Sequence, residues 1–317
     1  MSRRVFITGV TGFVGRYLQA ELESGDCVVF GTAFPEAPEP PPDGGSVRVT
    51  RLDIRSEKEL TAAIAEVDPD WVVHLAALSH VKLSWEKRRD TLETNLIGTL
   101  NLLEAVRKQA PGARFLFVSS SDVYGRGTAE QPLREDDPVL SMNPYALTKL
   151  GGEKLVDFYR RIEKLDAVIA RSFPHTGPGQ SADFVCSDWA FQLASIEKGL
   201  REPVIRVGNL DVSRDFLDVR DVVKAYAALL RRGRKGEIYN VSSGRATALR
   251  DILDRLLSGI PVDIKVEIDP AKLRKTDIAL LSGDNRKIRQ ETHWNPVIPF
   301  EETLQDLLDD WRIRLSA

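Results

Sequence analysis

Tyr145 and Lys149 stand four residues apart in a segment whose pattern predicts a helix, so their side chains lie on one helical face. A phenol ordinarily has a pKa of about 10, and a neighbouring ammonium favours its phenolate. We therefore expect the pair to donate or accept a proton at a reacting oxygen near neutral pH. Since a Tyr and a Lys at this spacing are frequent by chance, the surrounding residues must decide whether the pair is functional.

Hydroxyl groups follow the fifth predicted strand of the chain. Residues 119–125 read Ser-Ser-Ser-Asp-Val-Tyr-Gly, and ligands of open α/β sheets bind at the carboxyl ends of the strands. Asp122 adds a carboxylate, which can equally accept backbone N–H groups of its own loop. The position predicts that these groups and Tyr145 share one site.

Three glycines follow the first predicted strand at once and lead into a helix: Gly9, Gly12 and Gly15. Glycines at this spacing let the backbone turn sharply and approach a pyrophosphate, whose charge meets the N–H groups of the helix N-terminus. A tight turn without a ligand is the alternative. The position at the start of a βαβ series favours dinucleotide binding.

Two further strand ends are candidates for the same ligand. Asp53 ends the third strand, where its carboxylate can accept from an adenine amino group or cap the helix that begins near Ser56. The run Leu75–Ala77 ends the fourth strand with mainly small residues, which suit either a cofactor or core packing. The run Gly31–Phe34 has neither the acid that favours NAD nor the Arg that favours NADP, so the choice between NADPH and NADH is not readable.

The elements that position these residues alternate along the first half of the chain. Short apolar runs, separated by segments with apolar residues three or four apart, predict right-handed βαβ units. The strand candidates are residues 3–8, 27–32, 47–52, 71–76, 114–119 and 167–171. The prediction is an α/β fold, with a Rossmann-type doubly wound parallel sheet forming an NAD(P)-binding domain over residues 1–173.

The pattern becomes mixed after residue 173. Helical patterns cover residues 184–198, 219–232, 249–257 and 300–314, and short strand patterns cover residues 204–207, 238–241 and 264–268. We expect a smaller mixed α/β lobe over residues 174–317 that binds the substrate, with some elements interleaved between the two lobes. The run of Pro and Gly at residues 35–45 predicts a surface loop.

Composition excludes several classes of protein. The chain has 317 residues, 42% of them hydrophobic and 29% charged, with a net charge of -3, which gives no electrostatic reason to expect nucleic acid or an anionic membrane. No apolar stretch has the length of a membrane span. Cys27 and Cys186 are expected to be reduced thiols in a cytoplasmic protein. The four histidines lack metal-ligand spacing, so we expect no metal.

Taken in order, the motifs resemble those of the extended short-chain dehydrogenase/reductases. The marks are the glycine turn, the HLAA run at residues 74–77, Asn95, the hydroxyls after strand five, and Tyr145 with Lys149. Within that family the GDP-mannose branch is similar in segments 79–85, 171–180, 207–218 and 269–277. The resemblance runs nearly from end to end.

The resemblance implies a role for each motif. Ser120 would bind and polarise the substrate oxygen, Tyr145 would be the acid/base and Lys149 would hold the nicotinamide ribose, with Asp122 as a fourth catalytic candidate. The implied cofactor contacts are Gly9, Gly12, Phe13, Val14, Gly15, Asp53, Ile54, Leu75, Ala76, Ala77, Asn95, Tyr145 and Lys149. The implied substrate contacts are Lys82, Ser84, Ser120, Asp122, Asn209, Arg214 and Arg274. The two arginines suit a pyrophosphate because a guanidinium can form two parallel hydrogen bonds. The alternative for Asn209 and both arginines is a surface residue in a loop, and a role without substrate contact is open for Lys82 and Ser84.

The implied activity is NAD(P)H-dependent reduction of the 4-keto group of GDP-4-keto-6-deoxy-D-mannose to GDP-D-rhamnose. A GDP-mannose 4,6-dehydratase or, more remotely, a 4-epimerase is the alternative within the family, and a cofactor-binding sensor is the alternative outside enzymes. Dehydratases of this branch carry Glu where this chain has Asp122, one methylene shorter. Relatives also carry Asn in place of Pro174 and Glu in place of Asp277, and we expect these differences to affect sugar specificity without altering the fold. By analogy, helices around residues 89–108 and 145–164 would form a homodimer interface.

Overall fold

The computed structural model describes residues 2–37, 47–125, 127, 131–273 and 278–316. The strands are β1 Arg3–Thr8, β2 Cys27–Ala33, β3 Arg48–Arg51, β4 Trp71–His74, β5 Arg114–Ser120, β6 Asp166–Ser172, β7 His175–Thr176, β8 Val204–Val207, β9 Ser213–Arg214, β10 Leu217–Asp218, β11 Ile238–Val241, β12 Thr247–Ala248, β13 Lys265–Ile268 and β14 Leu280–Leu281.

The α-helices are α1 Phe13–Glu23, α2 Glu57–Val67, α3 Val81–Glu86, α4 Arg88–Leu92, α5 Gly98–Gln109, α6 Pro144–Ile162, α7 Val185–Glu197, α8 Val219–Arg232, α9 Leu249–Leu257, α10 Arg286–Thr292 and α11 Phe300–Arg314. A π-helical turn at Glu93–Ile97 joins α4 to α5, and a 3-10 turn at Ser121–Tyr124 follows β5.

Seven parallel strands form the large sheet, in the order β11-β6-β5-β4-β1-β2-β3. Successive side chains of a strand point to opposite faces, so Val5 and Ile7 enter one hydrophobic core while Phe6 enters the other. Helices α1 and α8 supply the first core, and α2, α5 and α6 supply the second. The predicted doubly wound fold is confirmed.

Smaller sheets lie in the second half of the chain: β10-β7, β12-β9-β14 and β13-β8. A third core packs α7, α9 and α11 against β8, around Trp189, Leu193 and Leu307. This is the mixed smaller lobe that the sequence predicts.

Strand β11 corrects one expectation. The sequence places residues 238–241 in the smaller lobe, but β11 pairs in parallel with β6 and closes the edge of the large sheet. Helix α8 packs beside α1 on the same sheet. The two lobes therefore interleave, and the division at residue 173 stays a prediction.

Candidate active site

Helix α6 presents Tyr145 in its first turn. Asn143 caps the helix, because its side-chain oxygen accepts a hydrogen bond from the Ala146 N–H at 2.7 Å, and Pro144 occupies the first helical position. Pro has no N–H to leave unsatisfied there. The cap and the proline fix where the helix begins, and thereby the direction of the phenol.

Ser120 and Asp122 meet Tyr145 at the carboxyl end of β5. The Ser120 Oγ accepts a hydrogen bond from the Asp122 N–H at 3.2 Å and shares a side-chain hydrogen bond with Tyr145. The Asn143 amide donates to the Asp122 carboxylate at 3.4 Å. A serine, a phenol and a carboxylate thus share one small volume, as their positions in the sequence predict.

The protonation state of Tyr145 corrects the expectation of a stabilised phenolate. Burial raises its pKa above the ordinary value, the negative charge of Asp122 raises it further, and the bond to Ser120 lowers it only in part. The Lys149 ammonium lies 5.9 Å from the centre of the phenol ring and hydrogen-bonds elsewhere. Tyr145 is therefore protonated at neutral pH, which suits a proton donor.

Lys149 lies one turn further along α6 and is 5% exposed. Its Nζ donates to the Val118 carbonyl on β5 at 2.8 Å. Burial lowers the pKa of Lys149 to about 8, although the charge of Glu153 opposes that shift. The ammonium is thus held at a fixed point beside the sheet, and it loses its charge only slightly above neutral pH.

Glu153 belongs to a buried network behind the catalytic residues. Both of its oxygens accept from the Arg171 guanidinium, at 2.8 and 2.9 Å, and one also accepts from the Ser119 hydroxyl at 2.6 Å. Arg171 and Glu153 are each 4% exposed. Removing one member of a buried ion pair leaves an uncompensated charge, so the network fixes β5, β6 and α6 together directly under the site.

Asn95 connects the cofactor side of the site to α6. It lies in the π-helical turn, accepts from the Leu78 N–H at 2.8 Å and donates to the Thr148 hydroxyl at 3.0 Å. The Thr148 hydroxyl in turn donates to the Tyr145 carbonyl at 2.7 Å. In this structure Asn95 therefore holds the backbone around the site, and its contact with a cofactor stays a prediction.

The glycine turn has the shape that a pyrophosphate needs. Gly9 has a φ of +75°, and a Cβ on Gly15 would approach the Gly9 and Val10 carbonyl oxygens to 2.4 Å, so these positions require glycine. Helix α1 has no acidic residue in its first turn, and its N-cap Gly12 supplies no side-chain hydrogen bond. The helix N–H groups are left for an anion. These residues fit a dinucleotide.

The other cofactor candidates have mixed surroundings. Phe13 stacks on His175 with ring centres 6.5 Å apart, and Val14, in the first turn of α1, packs against the first core. The Asp53 carboxylate is bonded to the Arg55 guanidinium, which lowers its pKa, while Ser56 rather than Asp53 caps α2.

Ile54 and the end of β4 pack closely on neighbouring backbone. The Ile54 side chain is 6% exposed and fills the space beside Gly98. Ala76 lies against Gly9, where an added Cβ would come within 3.1 Å of the Ala76 Cα, and Leu75 and Ala77 are half-buried. Contacts of these residues with a cofactor stay predictions.

The substrate candidates lie on both lobes. Lys82 is exposed on α3, and its Nζ donates to the Ala271 carbonyl of the smaller lobe at 3.4 Å. Ser84 is 1% exposed and donates to the Val81 carbonyl at 2.6 Å. Its oxygen can still accept a hydrogen bond, and its contact with the substrate stays a prediction.

The candidates of the smaller lobe hold loop backbone. The Asn209 side-chain oxygen accepts from the Asp211 N–H at 2.9 Å. Arg214 donates to the Ser213 carbonyl at 2.9 Å and to the Ile278 carbonyl at 2.5 Å. Arg274 and Asp277 lie outside the described residues.

A family model described as GDP-mannose 4,6 dehydratase matches residues 6–307. The chain belongs to this family.

Individual relatives span nearly the whole chain. The GDP-6-deoxy-D-mannose reductase of Pseudomonas aeruginosa is 36% identical over 316 residues, which cover 99% of both chains. The human GDP-mannose 4,6 dehydratase is 28% identical over 335 residues, covering 95% of this chain and 89% of the human protein. The solved structure of RMD from Pseudomonas aeruginosa, complexed with NADPH, is 35% identical with a TM-score of 0.85, and the match covers 99% of this chain and 100% of that chain.

Two residues to which the sequence assigned no role in catalysis or binding, His74 and Asn143, also support the candidate active site. His74 is buried between the Thr8 and Thr99 hydroxyls, at 2.7 and 2.9 Å, and burial lowers its pKa to about 3. It is therefore a neutral link between β1, β4 and α5. The role of Asn143 could have been predicted from the sequence, because Asn before Pro is typical of a helix start. No pattern of neighbouring residues indicates which side chains His74 contacts.

Metal and membrane features are absent from the described part of the chain. No cluster of His, Cys, Asp and Glu there could hold a metal ion. No helix among the described residues is long and apolar enough to cross a membrane. A depression of about 760 Å³ lies at the β11 edge, lined by residues that include Arg134, Glu237 and Lys287.

Proposed function

We propose that this chain is an NAD(P)H-dependent reductase that converts GDP-4-keto-6-deoxy-D-mannose to GDP-D-rhamnose. The observation that carries the proposal is the similarity to the Pseudomonas reductase over 99% of both chains. The group formed by Ser120, Tyr145 and Lys149 supports it, since a carbonyl reduction needs a proton donor beside the site of hydride transfer. NADPH in the related RMD structure supports the cofactor class.

A reduced nicotinamide bound at the glycine turn would supply the hydride for carbon 4 of the sugar. The Ser120 and Tyr145 hydroxyls hydrogen-bond to the 4-keto oxygen and polarise it. Tyr145, protonated because its pKa is raised, gives its proton to that oxygen as negative charge develops. Lys149, anchored on the Val118 carbonyl, would hold the nicotinamide ribose.

The nucleotide end of the substrate would lie against the smaller lobe. Arg214 and Arg274 would meet the pyrophosphate with forked hydrogen bonds, Asn209 would meet the ribose or base, and Lys82 would reach the sugar. Lys82 already contacts the smaller lobe at Ala271, which supports a substrate site between α3 and that lobe.

Dehydration of GDP-mannose is the second candidate, because the family model carries that description. Dehydration also needs a base near carbon 5 and an acid for the hydroxyl on carbon 6, and Asp122 is the available carboxylate. Its bond to Asn143, at 3.4 Å, ties it to the loop. We therefore assign Asp122 to holding the loop and polarising the site.

Two parallel assays on the purified enzyme separate the candidates. With GDP-4-keto-6-deoxy-D-mannose and NADPH or NADH, the reductase is expected to consume one reduced nicotinamide for each sugar reduced, followed by absorbance. With GDP-mannose alone it is expected to form no keto sugar. Formation of the keto sugar from GDP-mannose without net cofactor consumption would identify a dehydratase instead.

A homodimer is proposed from an apolar stripe on α4, the π-helical turn that follows it, and α6. Leu147, Phe158 and Ile162 follow one face of α6 and are 55%, 49% and 59% exposed; beside them Leu92 and Ile97 are 40% and 45% exposed. Contiguous exposed apolar patches mark interaction sites. A second copy of this chain would cover the stripe by packing its own α4–α6 face against it.

Phe158→Glu is expected to convert the dimer to a monomer, because an unpaired carboxylate cannot be buried in an apolar interface. The measurement is the molar mass by light scattering during size-exclusion chromatography. Ile313→Glu is the control, since Ile313 is 71% exposed on α11, away from the stripe. A wild-type protein that is monomeric at micromolar concentration, or a dimeric Phe158→Glu variant, would contradict the assignment.

We also place the enzyme in the cytoplasm. Its two cysteines, Cys27 and Cys186, are free thiols, and Cys186 is buried, which raises the pKa of its thiol. Unpaired thiols suit a reducing compartment.

A further inference from the structure

Arg51 occupies the carboxyl end of β3 and reaches across to the loop that follows β2. Its Nη1 donates to the Pro35 carbonyl at 2.9 Å and to the Ala37 carbonyl at 2.7 Å. The side chain is exposed. In the parallel register Arg51 is paired with Ala33, the last residue of β2.

That loop is where dinucleotide enzymes distinguish their cofactors. The residue that meets the 2′ position of the adenosine ribose lies about 20 residues beyond the glycine turn, at the end of the second strand. A carboxylate there favours the free hydroxyl of NADH, and an Arg favours the 2′-phosphate of NADPH. In this chain β2 ends in Thr32 and Ala33, so the strand itself supplies neither group.

The sheet supplies the missing charge from the neighbouring strand. The sheet order β1-β2-β3 and the register of β2 with β3 place the Arg51 guanidinium beside the turn at Phe34–Ala37. Among the described residues only Nη1 is engaged, and it is engaged by neutral carbonyls, so the other guanidinium donors face no protein acceptor there.

The acidic residues nearby leave this charge in place. Asp53 is paired with Arg55 at 2.5 Å, and so is already neutralised. Glu36 is exposed within the turn, and among the described residues it forms no ion pair with Arg51. Among the described residues, the end of β2 therefore faces a positive charge from Arg51, although Thr32 and Ala33 themselves are uncharged.

We propose that Arg51 binds the 2′-phosphate of NADPH and gives this enzyme its preference for NADPH over NADH. The inference rests on the nicotinamide-dependent function proposed above. Arg suits the contact because its planar guanidinium can form two parallel, charge-assisted hydrogen bonds to a phosphate. The two carbonyls of the loop would hold the guanidinium in place before the cofactor arrives.

The test is calorimetric titration of wild type and Arg51→Ala with NADP⁺ and with NAD⁺, without sugar. Hydrogen bonds to charged groups contribute about 1.5–3 kcal/mol, so Arg51→Ala is expected to weaken NADP⁺ binding by roughly 10- to 100-fold and NAD⁺ binding by less than about twofold. The NADP⁺ affinity of Arg51→Lys should lie between those of wild type and Arg51→Ala, since Lys keeps the positive charge but cannot form two parallel hydrogen bonds to a phosphate.

Arg48→Ala is the matched control, because it removes the same charge from the same strand. Arg48 is exposed at the opposite end of β3, with its guanidinium 5.9 Å from the Phe30 ring centre, and its loss should leave both affinities unchanged.

Equal weakening of both cofactors by Arg51→Ala would show that Arg51 only braces the loop, and unchanged NADP⁺ binding would show that it does not touch the phosphate. A wild type that prefers NAD⁺ would also overturn this inference while leaving the reductase standing. Binding of neither cofactor by wild type would remove the proposed function itself.

Discussion

Replacing Tyr145 by Phe is expected to lower kcat for the keto sugar by about 10²- to 10⁴-fold, the range that general acid catalysis usually contributes. Phe keeps the ring and its packing on α6 but removes the proton that the developing alkoxide needs. Steady-state kinetics of NADPH consumption measure the loss. Cofactor affinity should stay close to that of wild type, because Phe keeps the aromatic ring and removes only the hydroxyl that interacts with Ser120.

Tyr159→Phe is the control for this prediction. Tyr159 lies on the same helix, and its hydroxyl donates to Glu104 on α5, away from the site. It should keep wild-type kcat and lose only some stability. If Tyr145→Phe retained full turnover, Tyr145 would have no part in the proton transfer.

Lys149→Met is expected to lower kcat/KM by about 10²- to 10³-fold, a loss similar to that of one preorganised electrostatic group in a buried site. In wild type the pKa of Lys149 is about 8, so the side chain is charged below that pH and loses its charge above it. The kcat/KM of wild type should therefore fall as the pH rises through about 8. Tyr145 stays protonated over this range because burial raises its pKa.

The pH profile distinguishes a catalytic charge from a structural one. In Lys149→Met, most of the activity should be lost and kcat/KM should no longer fall as the pH rises through about 8. Lys154→Met changes an exposed residue on the same helix, and it should keep both the activity and the pH dependence of wild type. If kcat/KM of Lys149→Met still fell at the same pH as in wild type, a group other than Lys149 would be responsible for that titration.

Much of the fold is readable from the sequence because its signals are local. The glycine turn, the period of two in the strands and the apolar faces of the helices depend only on neighbouring residues. Three helices, Val219–Arg232, Leu249–Leu257 and Phe300–Arg314, begin and end where the patterns predict. The family was equally readable, because its motifs occur in a fixed order along the chain, and the family match confirms it.

The position of strand β11 could not be predicted from patterns of neighbouring residues. Its pattern predicts a strand, but its partner β6 lies more than sixty positions earlier in the sequence. Helix α8, which precedes β11 and packs on β5, β6 and α1, brings the chain back to that edge of the sheet. Ser84 is a similar case. Its residue type suggests a sugar contact, which stays a prediction, and only the packed chain shows that its hydroxyl donates to the Val81 carbonyl.

The sequence by itself determined the family, the sheet and the residues that meet at its carboxyl edge, because residue type, spacing and order are sufficient for these. The tertiary structure decided the charges of the site. Burial keeps Tyr145 protonated against the expected pull of Lys149, and Lys149 itself is anchored on Val118. The parallel register of β2 and β3 brings Arg51 to a loop where the local sequence has no charge. Burial and register are properties of the packed chain, and residue type and spacing alone do not set them.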